Sequence, residues 1–513
     1  MRAARAAALG LALLLAPVSA QAAFFKGVPV DQAVAAGDVD LAPAGDGAFT
    51  YLKGEDGAAH VFVSPVKSGT PAAPQRVDVG QALGSSQPRV ATANGGRIVV
   101  VWVNDGKLYA SLRPGGGAAF SAPVLVYAPV GAGVQDPTVS MTLGGKAYAS
   151  FATTSGDARG AYMAADGGWS APDAPLDVDP AQTASGPTVV ASGDGTAMYA
   201  WTETAADGFT HVFLRRAIGA RLSSATAEAS VPSLDFRAGA NADSPSLGME
   251  LDSARVWVAF RQDFNDGGTL VSRAIGRRLL GSGFDAPPFA VDGLSFPAGA
   301  GADHARVALT GHGGGTFCAS IRAPAGITGM LLKNDVLGPI RRFGAGGSNA
   351  VPTAADDGTG TVVWQRGSAI VGRHLTAAKL DPEATLSGAV DASAGLDSSG
   401  DVNGDAAITF LQGGTVRLAL FDAPPRSPHA HDEKRWQRNP RPRFHWSTVT
   451  DAWSKRVTYM IQIDKKTVFT TTGTTWIPSR RIPNGDHHWR IVTVDSRGQQ
   501  TFGHDRHLRI RAG

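Results

Sequence analysis

Cysteine is nearly absent. Cys318 is the single thiol in 513 residues, so no intramolecular disulfide can form, and stability has to come from burial in a large core. The thiol lies in the apolar run Phe317-Cys318-Ala319, which predicts a buried, inert side chain. Tyrosine is also scarce, at seven residues. Beyond the first 22 residues no apolar run approaches the roughly 20 residues that a membrane-spanning helix needs. No Ser-His-Asp order, GxSxG, HExxH, P-loop or dinucleotide fingerprint occurs, which removes the commonest routes to nucleophilic, metal-assisted and nucleotide chemistry.

Residues 1–22 read as a secretory signal. Arg2 and Arg5 precede an apolar run from Ala6 to Pro17, and Ala20-Gln21-Ala22 supplies a small-residue exit. No cysteine stands at that exit, so a lipid anchor is not expected. The mature chain is expected outside the cytoplasm, secreted or associated with the cell surface, as a soluble monomer with no role on intracellular nucleic acid.

Glycine (64) and proline (31) are plentiful and follow no collagen period, which fits a chain of many turns. They punctuate a repeat. In Gln87 to Val126, Pro88-Arg89-Val90-Ala91 reads as a short strand, and Ile98 to Val103 as a strand covered on both faces. Asn104-Asp105-Gly106 is a hairpin turn, Lys107 to Arg113 a third strand, and Phe120-Ser121-Ala122-Pro123 opens a fourth. The order returns at Pro137 with Phe151, Pro187 with Trp201, Pro245 with Trp257 and Pro352 with Trp364. The aromatic follows its proline by twelve or fourteen residues. Tyr51 and Phe410 hold the same place in outer copies, and a weakened copy runs from Ala305 through Phe317-Cys318-Ala319.

Eight such units, with seven as the alternative count, fill residues 23–423. A four-stranded sheet at this period marks a β-propeller; a solenoid of hairpins is the competing reading. The last unit lacks its fourth strand, and Ala23-Phe24-Phe25-Lys26-Gly27-Val28-Pro29-Val30 resembles the missing piece. The N-terminal segment is therefore predicted to close the ring and cover its exposed edge. The repeats are similar to those of secreted bacterial β-propeller proteins. Asp166-Gly167-Gly168-Trp169 resembles the end of a degenerate Asp-box, a structural turn of secreted propellers.

After Asp422 the texture changes. A Pro/Arg-rich linker over 424–441 leads into 442–513, where short alternating runs such as Tyr459, Ile461 and Ile463 predict a small β-sandwich. Ile482-Pro483-Asn484-Gly485 followed by Trp489 resembles a corner of fibronectin type III and related immunoglobulin-like domains, with tryptophan where tyrosine is usual. From Pro424 onward there are 17 Lys and Arg against 7 Asp and Glu, a net +10, while the whole chain is only +3. The near-neutral total hides an acidic propeller and a basic tail.

Three groups of residues carry the functional expectations. The units led by Pro187 and Pro245 are lengthened, and insertions on such scaffolds crowd binding faces, so Asp263, Phe264, Asn265 and Asp266 are the expected ligand site. Lys434, Arg435, Trp436, Arg438 and Arg441 interleave cations with an aromatic, a pattern for polyanions. Asp401, Asn403 and Asp405 space oxygens as calcium loops do, without the distal bidentate carboxylate; a solvated turn is the preferred reading and no cofactor is expected. Seven of the twelve histidines lie beyond residue 424 in no closed zinc spacing. No catalytic residue is assigned. The expectation is an exported binding or scaffold protein, tethered through its basic domain, with an envelope or extracellular polysaccharide or protein as partner. The alternative is a carbohydrate-active enzyme, a sialidase-like glycoside hydrolase or lyase.

Overall fold

Every regular element among the described residues is a β-strand. The computed structural model describes residues 23–512 except 173, 252, 254, 295–300, 311–312, 323–324, 431–432 and 455. The signal segment expected over 1–22 lies outside the described residues. The chain divides into two units, Ala23–Ala423 and Pro424–Gly513. No helix among the described residues is long and apolar enough to cross a membrane.

In the first unit eight sheets follow one another. Seven are built from strands in chain order, as in the second sheet with Ser85–Ala93, Arg97–Asn104, Lys107–Arg113 and Val124–Tyr127. Their first strands are Ala35–Leu41, Ser85–Ala93, Val134–Met141, Ala184–Ala191, Arg237–Met249 (after a two-residue strand, Ser233–Leu234), Ala302–Leu309 and Ser348–Ala354. The eighth sheet starts with Asp397–Gly400 and is completed from the far end of the sequence. Each first strand packs beside the next, and Asp397–Gly400 packs beside Ala35–Leu41. That makes a closed ring of sheets about a channel, the architecture of a β-propeller.

The N-terminal strand Ala23–Gln32 pairs antiparallel with Thr415–Asp422, from Ala23 opposite Asp422 to Gln32 opposite Thr415. The outer edge of the last sheet is thus covered by the start of the chain, as the repeats predicted. Phe24 seals it against Phe421, ring centroids 4.8 Å apart.

Radial packing explains the unbroken apolar runs. A second strand such as Ala147–Thr153 or Gly315–Ile321 is buried at every position, because neighbouring sheets cover both its faces. Tyr51, Trp102, Phe151, Trp201, Trp364 and Phe410 are fully buried. Each such ring withdraws roughly 150–250 Å² from water. Cys318 is buried as expected, and its burial pushes the thiol up to about 12. Asp105 and Gly106 both take positive φ, 50° and 67°, the geometry of the tight hairpin turn read there.

The recurring aromatic needs one correction. Trp102, Phe151 and Trp201, fourteen residues after their prolines, stand opposite a bulge in the first strand. In the fifth sheet that place belongs to Phe260, opposite Ser244-Pro245, while Trp257 pairs with Gly248. In the seventh sheet the bulge is Asn349-Ala350, two residues before Pro352, and Trp364 faces it. The twelve-residue spacing mixes two different shifts of register.

A second repeat carries no sequence signature. Leu176, Ala229 and Val291 donate their N–H groups to the carbonyls of Ala158, Val212 and Ala274. The next residue in each case, Asp177, Ser230 or Asp292, accepts the N–H of that same residue at 2.8 Å. These clasps pin the outer edge of three sheets with an aliphatic-polar pair.

The second unit has a sheet with central strands Thr458–Ile463, Gly485–Val494 and Arg506–Ile510, and a two-stranded partner of Phe444–His445 with Thr475–Trp476. Tyr459, Ile461 and Ile463 point into one core with Phe444, Trp446, Trp489 and Ile491. Glu433–Gln437, inside the stretch read as a linker, pairs parallel with Arg506–Ile510 and belongs to the sheet. Trp489, the tryptophan in the tyrosine's place, is buried in this core and its Nε1 has no hydrogen-bond partner among the described residues.

Candidate functional site

The first strands line the channel, and their opening residues build its mouth. A cavity of about 430 Å³ is walled there by the charged residues Asp38, Arg89, Asp136, His304, Arg306 and Asp397. A second cavity of about 300 Å³ continues along the same strands, past Asp40, Thr92, Ser140 and Ser399. The volume at the mouth falls within the roughly 300–1,000 Å³ of small-molecule sites. No Phe, Tyr or Trp is among its described lining residues.

The mouth is made by a repeated backbone distortion. Gln87, Asp136, Gly186 and Ser244, each just before the proline that marks its unit, take φ of 52°, 50°, 53° and 56°. Asn349 takes 53° at the matching bulge. A left-handed conformation costs an L-residue on the order of 1–2 kcal/mol, and a residue before proline is further restricted. The bulges turn Asp136, Gly186 and Ser244 into the cavity wall. Strain retained at one position of successive sheets, where it shapes a cleft, points to use.

Two charge systems meet in the channel. Asp38 lies beside Asp397; burial within the ring, and next the neighbouring carboxylate, raise its pKa well above the usual carboxylate range. Both residues line the mouth cavity and are half-buried. Asp40 is pushed up to about 6, chiefly by burial, against hydrogen bonds from Thr92 and Ser399. Facing these acids, Arg89 donates its Nε to the Pro137 carbonyl at 3.1 Å, and Arg306 lines the cavity beside His304. Desolvation, and then the Arg306 charge, lower the basicity of His304, an exposed residue of the cavity wall. The mouth therefore brings carboxylates, guanidinium groups and an imidazole together around one cavity.

The residues expected as a ligand site are engaged with their own sheet and the core beneath it. Asp263 accepts Ser272 Oγ at 2.5 Å and is paired with Arg261. Phe264 is wholly buried in the core. Asn265 Oδ1 accepts the Gly268 N–H at 2.7 Å, and Asp266 pairs with Arg237 at 2.7 Å. The hairpin reaches the mouth at its base, where Arg261 and Asp243 act electrostatically on His304. Reading the repeat missed the mouth residues, although they flank its marker: Arg89 follows Pro88 and Asp136 precedes Pro137.

In the loop read against calcium geometry, Asp401 Oδ1 accepts the N–H groups of Asn403, Gly404 and Asp405 at 2.8–2.9 Å. Asp405 accepts the Ala423 N–H at 2.8 Å. The carboxylates thus organise the turn itself. No group of three His, Cys, Asp or Glu among the described residues is arranged to hold a metal ion. In the second unit, Trp436 is half-exposed with the Arg509 guanidinium over its ring. Arg438 and Arg441 are exposed. The side chains of Lys434 and Arg435 lie outside the described residues.

No protein-family model and no curated protein matches the sequence. Among solved structures, the polysaccharide lyase Uly1 is similar at a TM-score of 0.42 and 10% identity, over 79% of this chain and 98% of that one. The β-propeller domain of the Trilobed protease from Pyrococcus furiosus is similar at 0.41 and 8%, over 70% and 100%. The BP39L lectin from Burkholderia pseudomallei is similar at 0.39 and 13%, again over 70% and 100%.

Proposed function

We propose that this chain is an exported binding protein, an eight-bladed propeller whose channel mouth takes a polyhydroxylated ligand such as the end of a surface or matrix glycan. The observation that carries this reading is the ring of strained bulges around a polar cavity, with Asp136, Thr138, Thr188, Ser246 and Arg306 in one wall. Carboxylates, hydroxyls and guanidinium groups converging on a small space match the alternating donors and acceptors of a sugar. The basic, fibronectin-like second domain would hold the protein on an anionic envelope or matrix polymer.

The reading is tested by retention of the mature protein on a panel of immobilised neutral and acidic glycans, beside the Arg306→Gln and Asp136→Asn variants. Selective retention that both variants lose at unchanged melting temperature supports it. Retention that both variants keep would remove the mouth as the site.

A further inference from the structure

The second unit holds a separate cavity of about 520 Å³, larger than the channel mouth and different in chemistry. Ile463, Val468, Trp476, Pro478, Ile482 and Pro483 give it an apolar wall, and Lys466, Arg480, Arg481 and His487 its charge. Arg480 follows the short strand Thr475–Trp476, and Lys466 begins Lys466–Thr471. The two cations therefore reach the groove from different elements.

Three features point to a built site. Trp476 is held by Phe444 on one side, centroids 5.2 Å apart, and by Phe469 on the other, 5.3 Å apart and nearly parallel. Its indole therefore presents a fixed edge to the groove. Around it Val468 and Ile477 remain about half exposed, an apolar surface that nothing in this unit covers. The one acid in the wall, Asp464, is already used: it accepts His487 Nδ1 at 2.7 Å and the His488 N–H at 2.9 Å. Lys466, Arg480 and Arg481 make no ion pair or side-chain hydrogen bond among the described residues.

We infer that this groove binds a carboxylated sugar, a short stretch of polyuronate. The C–H face of each pyranose would lie on the Val468–Trp476–Pro478 wall, and its carboxylates would meet Arg480, Arg481 and Lys466. Guanidinium groups suit planar carboxylates through paired hydrogen bonds. An apolar wall with a few placed cations favours a ligand carrying both characters over one carrying charge alone. This inference deepens the tethering part of the proposed function, placing attachment in the groove rather than in the stretch around Trp436.

The test uses the full mature chain and purified oligogalacturonate, with neutral galactan oligomers, inorganic polyphosphate and phosphatidylglycerol vesicles as comparisons. The expected result is binding of oligogalacturonate alone among sugars. The double variant Arg480→Gln, Arg481→Gln should weaken it at least tenfold at unchanged melting temperature, whereas Arg438→Gln, Arg441→Gln should leave it within twofold. Equal or tighter binding of polyphosphate or vesicles would overturn the inference, showing charge or lipid recognition. Loss confined to the Arg438/Arg441 variant would overturn the groove while keeping a polyanion tether. Failure to bind any polyanion would overturn both.

Discussion

The backbone N–H of Val39 donates to the Asp397 carboxylate at 3.0 Å, across 358 residues of sequence. Two residues further along, Leu41 N–H donates to Ser399 Oγ at 3.0 Å. These bonds run between the first strands of the first and last sheets, on the channel side. On the outer side Ala23–Gln32 pairs with Thr415–Asp422. The ring is therefore closed twice, at its axis and at its rim.

The outer closure can be removed without touching the channel. Deleting residues 23–30 from the mature protein bares the third strand of the last sheet and the Phe421 face that Phe24 covers. The melting temperature should fall by several degrees, and the point variant Phe24→Ala should give a smaller drop. Calorimetry on the three proteins checks this; unchanged melting after the deletion would mean that the axial bonds close the ring by themselves.

The inner closure makes stability depend on pH. Asp38 and Asp40 titrate above the usual carboxylate range in the folded chain, Asp40 at about 6. A group whose folded value is raised favours folding while protonated. Its contribution is full below the ordinary carboxylate range and is lost as pH rises toward 6 and beyond. Asp38→Asn keeps a hydrogen-bond donor toward Asp397 and removes one charge. It should raise the melting temperature at pH 8 and change it little at pH 4. Equal effects at both values would show that the pair is not electrostatically strained.

The mouth bulges should show strain and use together. Ser244→Gly replaces an L-residue at φ 56° and should stabilise the protein by about 1 kcal/mol in denaturant titration. Asp136→Gly should gain similarly but lose ligand retention, because it takes a carboxylate from the cavity wall. Destabilisation by both glycines would mean that the bulge residues hold the sheets rather than a ligand.

The fifth sheet depends on one buried ion pair. Arg273 and Asp292 are almost wholly buried and bonded through two contacts at 2.8–2.9 Å; Asp292 also accepts the Ala274 and Leu294 N–H groups. Asp292→Ala strands the guanidinium and should cost about 3–5 kcal/mol. Asp177→Ala removes a comparable clasp without orphaning a cation and should cost less. Equal losses in a parallel denaturant series would assign the effect to the clasp alone.

The ring was legible in the sequence because its signal is local. Proline, a glycine turn and a β-branched run ending in an aromatic recur within some fifty residues, and sandwiched second strands permit no polar face. The mouth was not. Its residues come from seven sheets, and the bulge positions Gln87, Asp136, Gly186 and Ser244 share a backbone conformation rather than a residue type. The expected site at Asp263 to Asp266 followed the length of this unit, and the structure places these residues in a long hairpin whose polar groups bond within the same sheet. Phe264 shows why: strand alternation turns it inward to the core, a direction that spacing to the nearest glycine does not reveal. The clasp residues Asp177, Ser230 and Asp292 escaped because they follow loops of different lengths.

The measurement closest to the central claim is hydrogen exchange by mass spectrometry on the full mature chain, with and without the glycan that the panel selects. The account predicts slowed exchange at the openings of the first strands, around residues 87–90, 135–138, 185–188 and 243–246. The turns at the opposite end, 142–146 and 192–196, should stay unchanged. Protection confined to those turns, or to the second unit alone, would contradict a ligand site at the channel mouth.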